Sequence, residues 1–454
     1  MKRTGVPGTV AESGRKPAVV GTCGPASQHK WWDTEGVVSR KLDWLRRARE
    51  RWLCLHVGGN AVRLLRWVLR EHGLTLTQSE PSGVTTMPKI CTASSDRETD
   101  RQNLGADGCS EAPTVAITMG DPAGIGPELV VKVLASYPRL DVPARILVIG
   151  DLMVMRHAQG LVGADLQFQP IVDPSEAAFS WPVIDVLCPE GVQVERVPWG
   201  RVDAGMGRAA ALCLQAAAGL AEAGAISGIT SAPLNKESFH GAGFAYRDEL
   251  AFLADLTGST EPFIAGVVDQ MWTITVTEHI PFRDIAPAIK KERVLARIKL
   301  LHGAMRRAGV VDPRIGVAAL NVHGGDGGLF GREEIDEIGP AIEEAQRCAI
   351  DARGPVPADA IFLNAFAGDF DGVVCMYHDQ ANIARKLQPR EKGATLFLGL
   401  PVMCATTAHG TAFDIAGRGI ANAGGLETAL RWTCRLAAAD QAAASSISNG
   451  GTSK

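Results

Sequence analysis

The sequence predicts an α/β protein built on a largely parallel sheet with helices on both faces. Three observations predict it. From Thr114 onward, short β-rich runs alternate with longer apolar helix patterns, the alternation that βαβ units require. Runs such as RILVIGD (145–151) and PVIDVLC (182–188) are apolar nearly throughout, as strands buried on both faces are. Polar and glycine-rich clusters follow the runs, and in open α/β sheets ligands collect beyond the carboxyl ends of strands.

Taken in order, TVAITMG (114–120) reads as the first strand, followed by the turn DPAGIGPE and the helix pattern LVVKVLASY. Strands are expected at 145–151 and 182–188, an Ala-rich helix at 205–224 and a strand at 225–230. Within 263–279, two β-rich runs flank Asp269-Gln270, which predicts a hairpin. A helix over 288–308, a strand over 314–323, a helix over 333–348, strands over 372–380 and 394–401 and a last helix over about 424–440 complete the expectation.

The bulk composition sets limits. With 454 residues, 46% of them hydrophobic and 21% charged, the chain is globular and long enough for two or three domains. A net charge of −4 gives no polyelectrolyte character, so neither nucleic acid nor a membrane is an expected partner. No run approaches the roughly 18 apolar residues that a membrane span needs. The first residues lack the apolar core of a secretory signal. Ten cysteines occur without a CxxC pair, which points to a reduced, cytoplasmic location.

Residues 1–112 differ from the rest. They hold 17 Lys/Arg against 12 Asp/Glu and five of the nine tryptophans, while the remainder is net −9. The segment Arg40–His72 could form a basic amphipathic helix suited to a membrane surface or a partner. The whole stretch is read as a disordered extension, or as sequence upstream of a later start such as Met87. Residues 113–442 are the expected catalytic region, and 443–454 a disordered tail.

Four clusters carry candidate chemistry. The turn Gly120–Glu128 could admit an anion at a helix N-terminus, but lacks a GxGxxG or Walker pattern and serves equally as a structural turn. Three histidines end β-like runs: His279, His323 and His378. Imidazole is the commonest neutral ligand for zinc-like metals, and three with an open fourth position leave room for a substrate oxygen. Asp379 could orient such a ligand or move a proton. The loop Gly324–Gly328 could let a cofactor approach the backbone. In HGTAFDIAGRGIAN (409–422), small residues with one acid and one amide suit a loop around an adenosine. Asp414 there would accept from ribose hydroxyls and repel a 2′-phosphate, favouring NAD over NADP.

Together TVAITMGDPAGIGPELVVK, TEHIPFRDI, LNVHGGDGGLFGREEID, MYHDQ and LGLP resemble the 4-hydroxythreonine-4-phosphate dehydrogenase family, over about 114–440. The loop at 409–422 is similar to the adenosine-binding loop of isopropylmalate and isocitrate dehydrogenases. The resemblance implies a two-lobed α/β/α sandwich of that dehydrogenase-like fold, with lobe boundaries near 235 and 325 and the active site in the cleft. It implies a homodimer whose divalent metal site draws on both subunits, with His279, His323 and His378 as ligands. It assigns His409, Gly410, Thr411, Ala412, Asp414, Ile415 and Asn422 to the NAD loop. The metal would be zinc, with magnesium, manganese, cobalt or nickel as alternatives. Asp379, Lys236 and Lys386 are the candidate catalytic groups, Lys386 also holding the substrate.

Four substrate positions depart from the family. Its His-Thr pair corresponds to Arg247-Asp248, its Asn to Thr395 and its Arg to Cys404. Loss of an arginine removes a bidentate anion contact. The implied reaction oxidises a phosphorylated hydroxy acid to a 3-oxo acid that decarboxylates, as 4-phosphooxy-threonine gives an aminoketone phosphate. The alternatives are the same chemistry on an unphosphorylated carboxylic acid, cyclic diols included, in catabolism, or a non-catalytic metal- or nucleotide-binding homologue.

Overall fold

The computed structural model describes residues 112–449. The extension expected over 1–112, its last residue aside, and residues 450–454 of the expected tail lie outside the described residues. Twelve strands form one sheet: β1 (Thr114–Thr118), β2 (Arg145–Ile149), β3 (Gln167–Ile171), β4 (Val183–Leu187), β5 (Gly228–Ser231), β6 (Phe263–Val268), β7 (Met271–Thr275), β8 (Ile315–Ala318), β9 (Ala352–Val356), β10 (Gly372–Cys375), β11 (Gly393–Leu398) and β12 (Met403–Thr407).

Their order is β3-β4-β2-β1-β5-β12-β11-β6-β7-β10-β8-β9. Eight of the neighbouring pairs are parallel. The three antiparallel pairs all involve β11 or β6, at the middle of the sheet. The expected hairpin is β6–β7, turning at Asp269-Gln270 with Ala265 opposite Ile274. Three apolar clusters pack against this sheet. One gathers Ile117, Leu147, Ile229 and Leu253, a second Val267, Ile274, Val317 and Val374, and a third Met271, Ile361, Phe362 and Val373. The first belongs to one α/β lobe and the other two to the second, and the antiparallel strands join them. The last helix, Gly424–Asn449, runs past its expected end near 440.

β3, β9 and β12 were not expected. β3 and β9 are the two edges of the sheet, and each holds a proline, Pro170 or Pro355. Proline cannot donate to a ladder, so it is confined to edges and masks a strand in the sequence. β12 (MCATT) is buried throughout, yet its small side chains give no alternating pattern.

Two other strands are shorter than expected, and both shifts move a candidate histidine. β8 stops at Ala318 rather than 323, because the Glu334 carboxylate takes the N–H groups of Leu320 and Asn321 at 2.8 and 2.7 Å. β10 stops at Cys375 rather than 380. The Gln380 side chain there accepts from Met376 N at 2.8 Å and donates to Ala319 O at 2.9 Å, tying the ends of β10 and β8 together. His378 then opens the helix His378–Lys386 instead of ending a strand, with Asp379 in the first turn, where a helix N-terminus favours negative charge.

Candidate active site

At the seam of the two lobes lies a cavity of about 350 Å³. Its walls carry Lys236, Thr275, Glu278, His279, His378, Arg385, Lys386, Thr395, His409 and Gly410. His279 sits at the tip of the loop after β7, and its ring centroid lies 5.5 Å from that of His378. His378 Nδ1 is 2.7 Å from Asp379 Oδ1. A carboxylate so placed fixes the ring and leaves Nε2 toward a ligand, the usual outer support of a metal-binding histidine.

His323 does not join that pair within the chain. It stands in an exposed loop with φ 52°, in a left-handed run from His323 to Gly327, and its Nδ1 is 3.8 Å from Asp326. Positive φ at a non-glycine residue costs on the order of 1 kcal/mol or more, and glycines 324, 325 and 327 allow the loop to project. Among the described residues no group of three or more His, Cys, Asp or Glu is placed to hold a metal.

The other substrate positions divide. Lys386, Lys236 and Thr395 face the cavity. Cys404 does not line it. It is buried in β12 beside Phe397 and Ile229, and burial pushes its thiol far up. Arg247 and Asp248 also lie off the cavity wall. They pair with each other at 2.9 Å, and Asp248 caps the helix Glu249–Leu256 by accepting from Ala251 N at 2.9 Å.

A second cleft, about 390 Å³, adjoins the first through His409 and Gly410. Ile125, Ala412, Ile415, Ile420 and Ala421 give it apolar walls, and Asn422, Arg390 and Glu391 a polar rim. Five residues of the expected cofactor loop line it: His409, Gly410, Ala412, Ile415 and Asn422. Thr411 is buried behind them and accepts from Ile125 N at 3.0 Å. Asp414 is exposed and off the lining. The Gly120–Glu128 turn is therefore covered by the Thr411 segment and acts as structure, not as an open anion cradle. Gly120 holds φ +70°, and a Cβ there would fall 2.5 Å from Pro233 O, so only glycine fits.

Two buried carboxylates flank this region. Asp121 accepts from Ala123 N at 2.8 Å, and burial raises its pKa to about 6. Burial likewise lifts Glu249 to about 7, countered by the Ser231 hydroxyl. Sequence reasoning missed Glu278, Asn382 and Arg385. Glu278 follows Thr275, whose hydroxyl it binds, and its place beside His279 in the TEHIPF segment was the available signal.

Three comparisons bear on kinship. The family described as "Pyridoxal phosphate biosynthetic protein PdxA" matches residues 143–433. A 4-hydroxythreonine-4-phosphate dehydrogenase of Beijerinckia indica subsp. indica is 42% identical, covering 71% of this chain and 94% of that protein. A D-threonate 4-phosphate dehydrogenase of Cupriavidus necator is 41% identical, covering 72% and 97%. The crystal structure of a 4-hydroxythreonine-4-phosphate dehydrogenase from Klebsiella pneumoniae superimposes with a TM-score of 0.65 at 35% identity, covering 72% of this chain and 98% of that one. A family match across most of the two-lobed fold, joined to relatives above 40% identity along nearly their whole length, makes this chain a member of the PdxA family.

Proposed function

We propose that the chain is a metal-dependent, NAD-linked dehydrogenase that oxidises a secondary hydroxyl of a phosphorylated hydroxy acid, yielding a 3-oxo acid that decarboxylates. The observation that carries this reading is the pairing of His279 with His378 in a cavity that also holds two lysines and shares a wall with the cofactor cleft. The relatives' names, which specify 4-phosphorylated hydroxy acids, support the substrate class.

The donor set fits a divalent metal. His279 and His378 offer two imidazoles, Asp379 orients one of them, and His323, exposed on its own loop, would complete the pair of a second copy of the chain in a homodimer. Bound there, a divalent ion supplies Lewis-acid polarisation of the substrate oxygen, with zinc first and manganese, cobalt, nickel or magnesium as alternatives. The second cleft's apolar walls, Ile125, Ile415 and Ile420, and its polar Asn422 suit a dinucleotide; NAD held there would supply the hydride acceptor.

The chain's own groups do the rest. Lys386 holds an anionic group of the substrate. Lys236, exposed at the cavity with no side-chain partner among the described residues, is the group that takes the hydroxyl proton. After carbon dioxide leaves, it returns the proton to the carbon that bore the carboxylate. Thr395 presents its hydroxyl to the substrate's polar atoms. His409 and Gly410, on the wall common to both cavities, keep the two reactants in contact and exclude water between them.

The test is NADH formation across a panel of hydroxy acids, each with and without a phosphate, before and after chelation. Activity confined to phosphorylated acids and abolished by chelator is the expected result. Activity on unphosphorylated acids alone would move the substrate, and no activity with metal-loaded protein would overturn the assignment.

A further inference from the structure

Arg385 occupies an unusual position beneath the cavity floor. It lies on the helix His378–Lys386 and reaches across the middle of β6. A Cβ at Gly266 would fall 1.1 Å from Arg385 Nη1 and 2.0 Å from its Cζ. The guanidinium therefore fills the space a side chain at 266 would take, in the centre of the sheet between Thr395 of β11 and Thr273 of β7.

Its donors are poorly satisfied. Nη2 gives one hydrogen bond, to Asn382 Oδ1 at 2.8 Å, and Nε is buried without a partner. Among the described residues no carboxylate forms an ion pair with it. Glu278 acts on it at a distance without pairing, and a desolvated guanidinium with no carboxylate in direct contact is costly and invites an anion. Burial lowers its pKa, in keeping with that desolvation.

The surroundings make room for one. Arg385 and Lys386 form the partition between the histidine cavity and an adjoining cavity of about 340 Å³, which also carries Arg390. Glu278 is the only carboxylate on either lining, and its carboxylate is engaged by Thr275. We propose that Arg385 is a specificity-determining residue that grips an oxyanion of the substrate, a carboxylate or a phosphate, with Gly266 leaving the space that sets its guanidinium at the cavity floor. The substrate then carries two anionic groups, one for Lys386 and one for Arg385. This inference rests on the dehydrogenase reading for its substrate but not for its site.

The experiment uses the full chain, metal-loaded, and titrates it calorimetrically with inorganic phosphate and, separately, with malonate. Arg385→Met keeps the aliphatic stem. Gly266→Ala keeps the arginine and displaces it. Wild type is expected to bind at least one probe, with Arg385→Met weakening it about 10- to 100-fold, the range of a lost charge-assisted bidentate contact. Gly266→Ala is expected to weaken the same probe, with no further loss when added to Arg385→Met. The probe that responds identifies the anion. With a turned-over substrate, KM rises in both variants while kcat changes little. Failure of wild type to bind either probe, or equal binding by wild type and by folded Arg385→Met, overturns the proposal; should Arg385→Met not fold, equal binding by Gly266→Ala does so. Probe binding that depends on Arg385 in a protein that turns over no acid of the panel would retain the anion site and reject the dehydrogenase reading.

Discussion

Glu128 and Ala421 stand 293 positions apart, and the buried carboxylate of one takes the backbone N–H of the other at 2.7 Å. Lys132 completes the clasp, bonding Glu128 at 2.7 Å and the carbonyls of Gly419 and Ala421 at 2.9 and 2.6 Å. The helix after the first strand thereby fixes the far end of the 409–422 loop.

Removing that clasp is expected to loosen the loop. Glu128→Ala leaves the Lys132 ammonium without its counter-charge, at a cost of about 3 kcal/mol in stability, and raises the KM for NAD more than that for the hydroxy acid. Urea denaturation and steady-state kinetics check it. An unchanged KM for NAD would separate the loop from the cofactor.

Asp379 is expected to act through His378. Asp379→Ala should weaken metal affinity by about 10- to 100-fold, read by competition with a chelating dye, while thermal stability stays near wild type. His279→Ala and His378→Ala should each purify without stoichiometric metal. Full metal content in either would remove that histidine from the site.

Glu249 gives a pH signature. Its folded-state pKa is raised by burial from 4.5 to about 7. The unfolded state therefore ionises first as pH rises, and stability falls between pH 4.5 and 7. The loss from this group is on the order of 3 kcal/mol, complete above pH 7. Unfolding free energies at pH 5 and 7.5 should differ less in Glu249→Gln than in wild type. Equal differences would show that the carboxyl is not held neutral.

Asp248 is expected to be structural. Asp248→Ala should cost about 1 kcal/mol through loss of the helix cap, Asp248→Asn should restore it, and neither should change kcat/KM by more than about twofold. A large fall in kcat/KM with Asp248→Asn would return the Arg247-Asp248 pair to the substrate.

Much of this was legible in the sequence, for reasons that particular residues make plain. β1, β2 and β4 are dense in Val and Ile, and their burial on both faces reads directly. β3 and β9 hide because Pro170 and Pro355 belong at sheet edges, a position set by tertiary packing. His378 was read as a strand end, because nothing local shows that Gln380 folds back on Met376 and Ala319. Arg385 was passed over beside Lys386 because its meaning depends on Gly266, 119 residues earlier, and only the sheet brings the two together. Cys404 looked like a substrate position by correspondence, while its inward direction follows from the pairing of β12 with β5 and β11.

The central claim is that His279 and His378 of one chain meet a cation with His323 of another. Mixing inactive His279→Ala chains with inactive His323→Ala chains tests it, after subunit exchange. In a shared site each mixed dimer holds one site with both lesions and one intact, so activity and bound metal should return to about one quarter of wild type. Complete silence from the mixture, with mixed dimers verified by mass spectrometry, would contradict a metal centre built across two subunits.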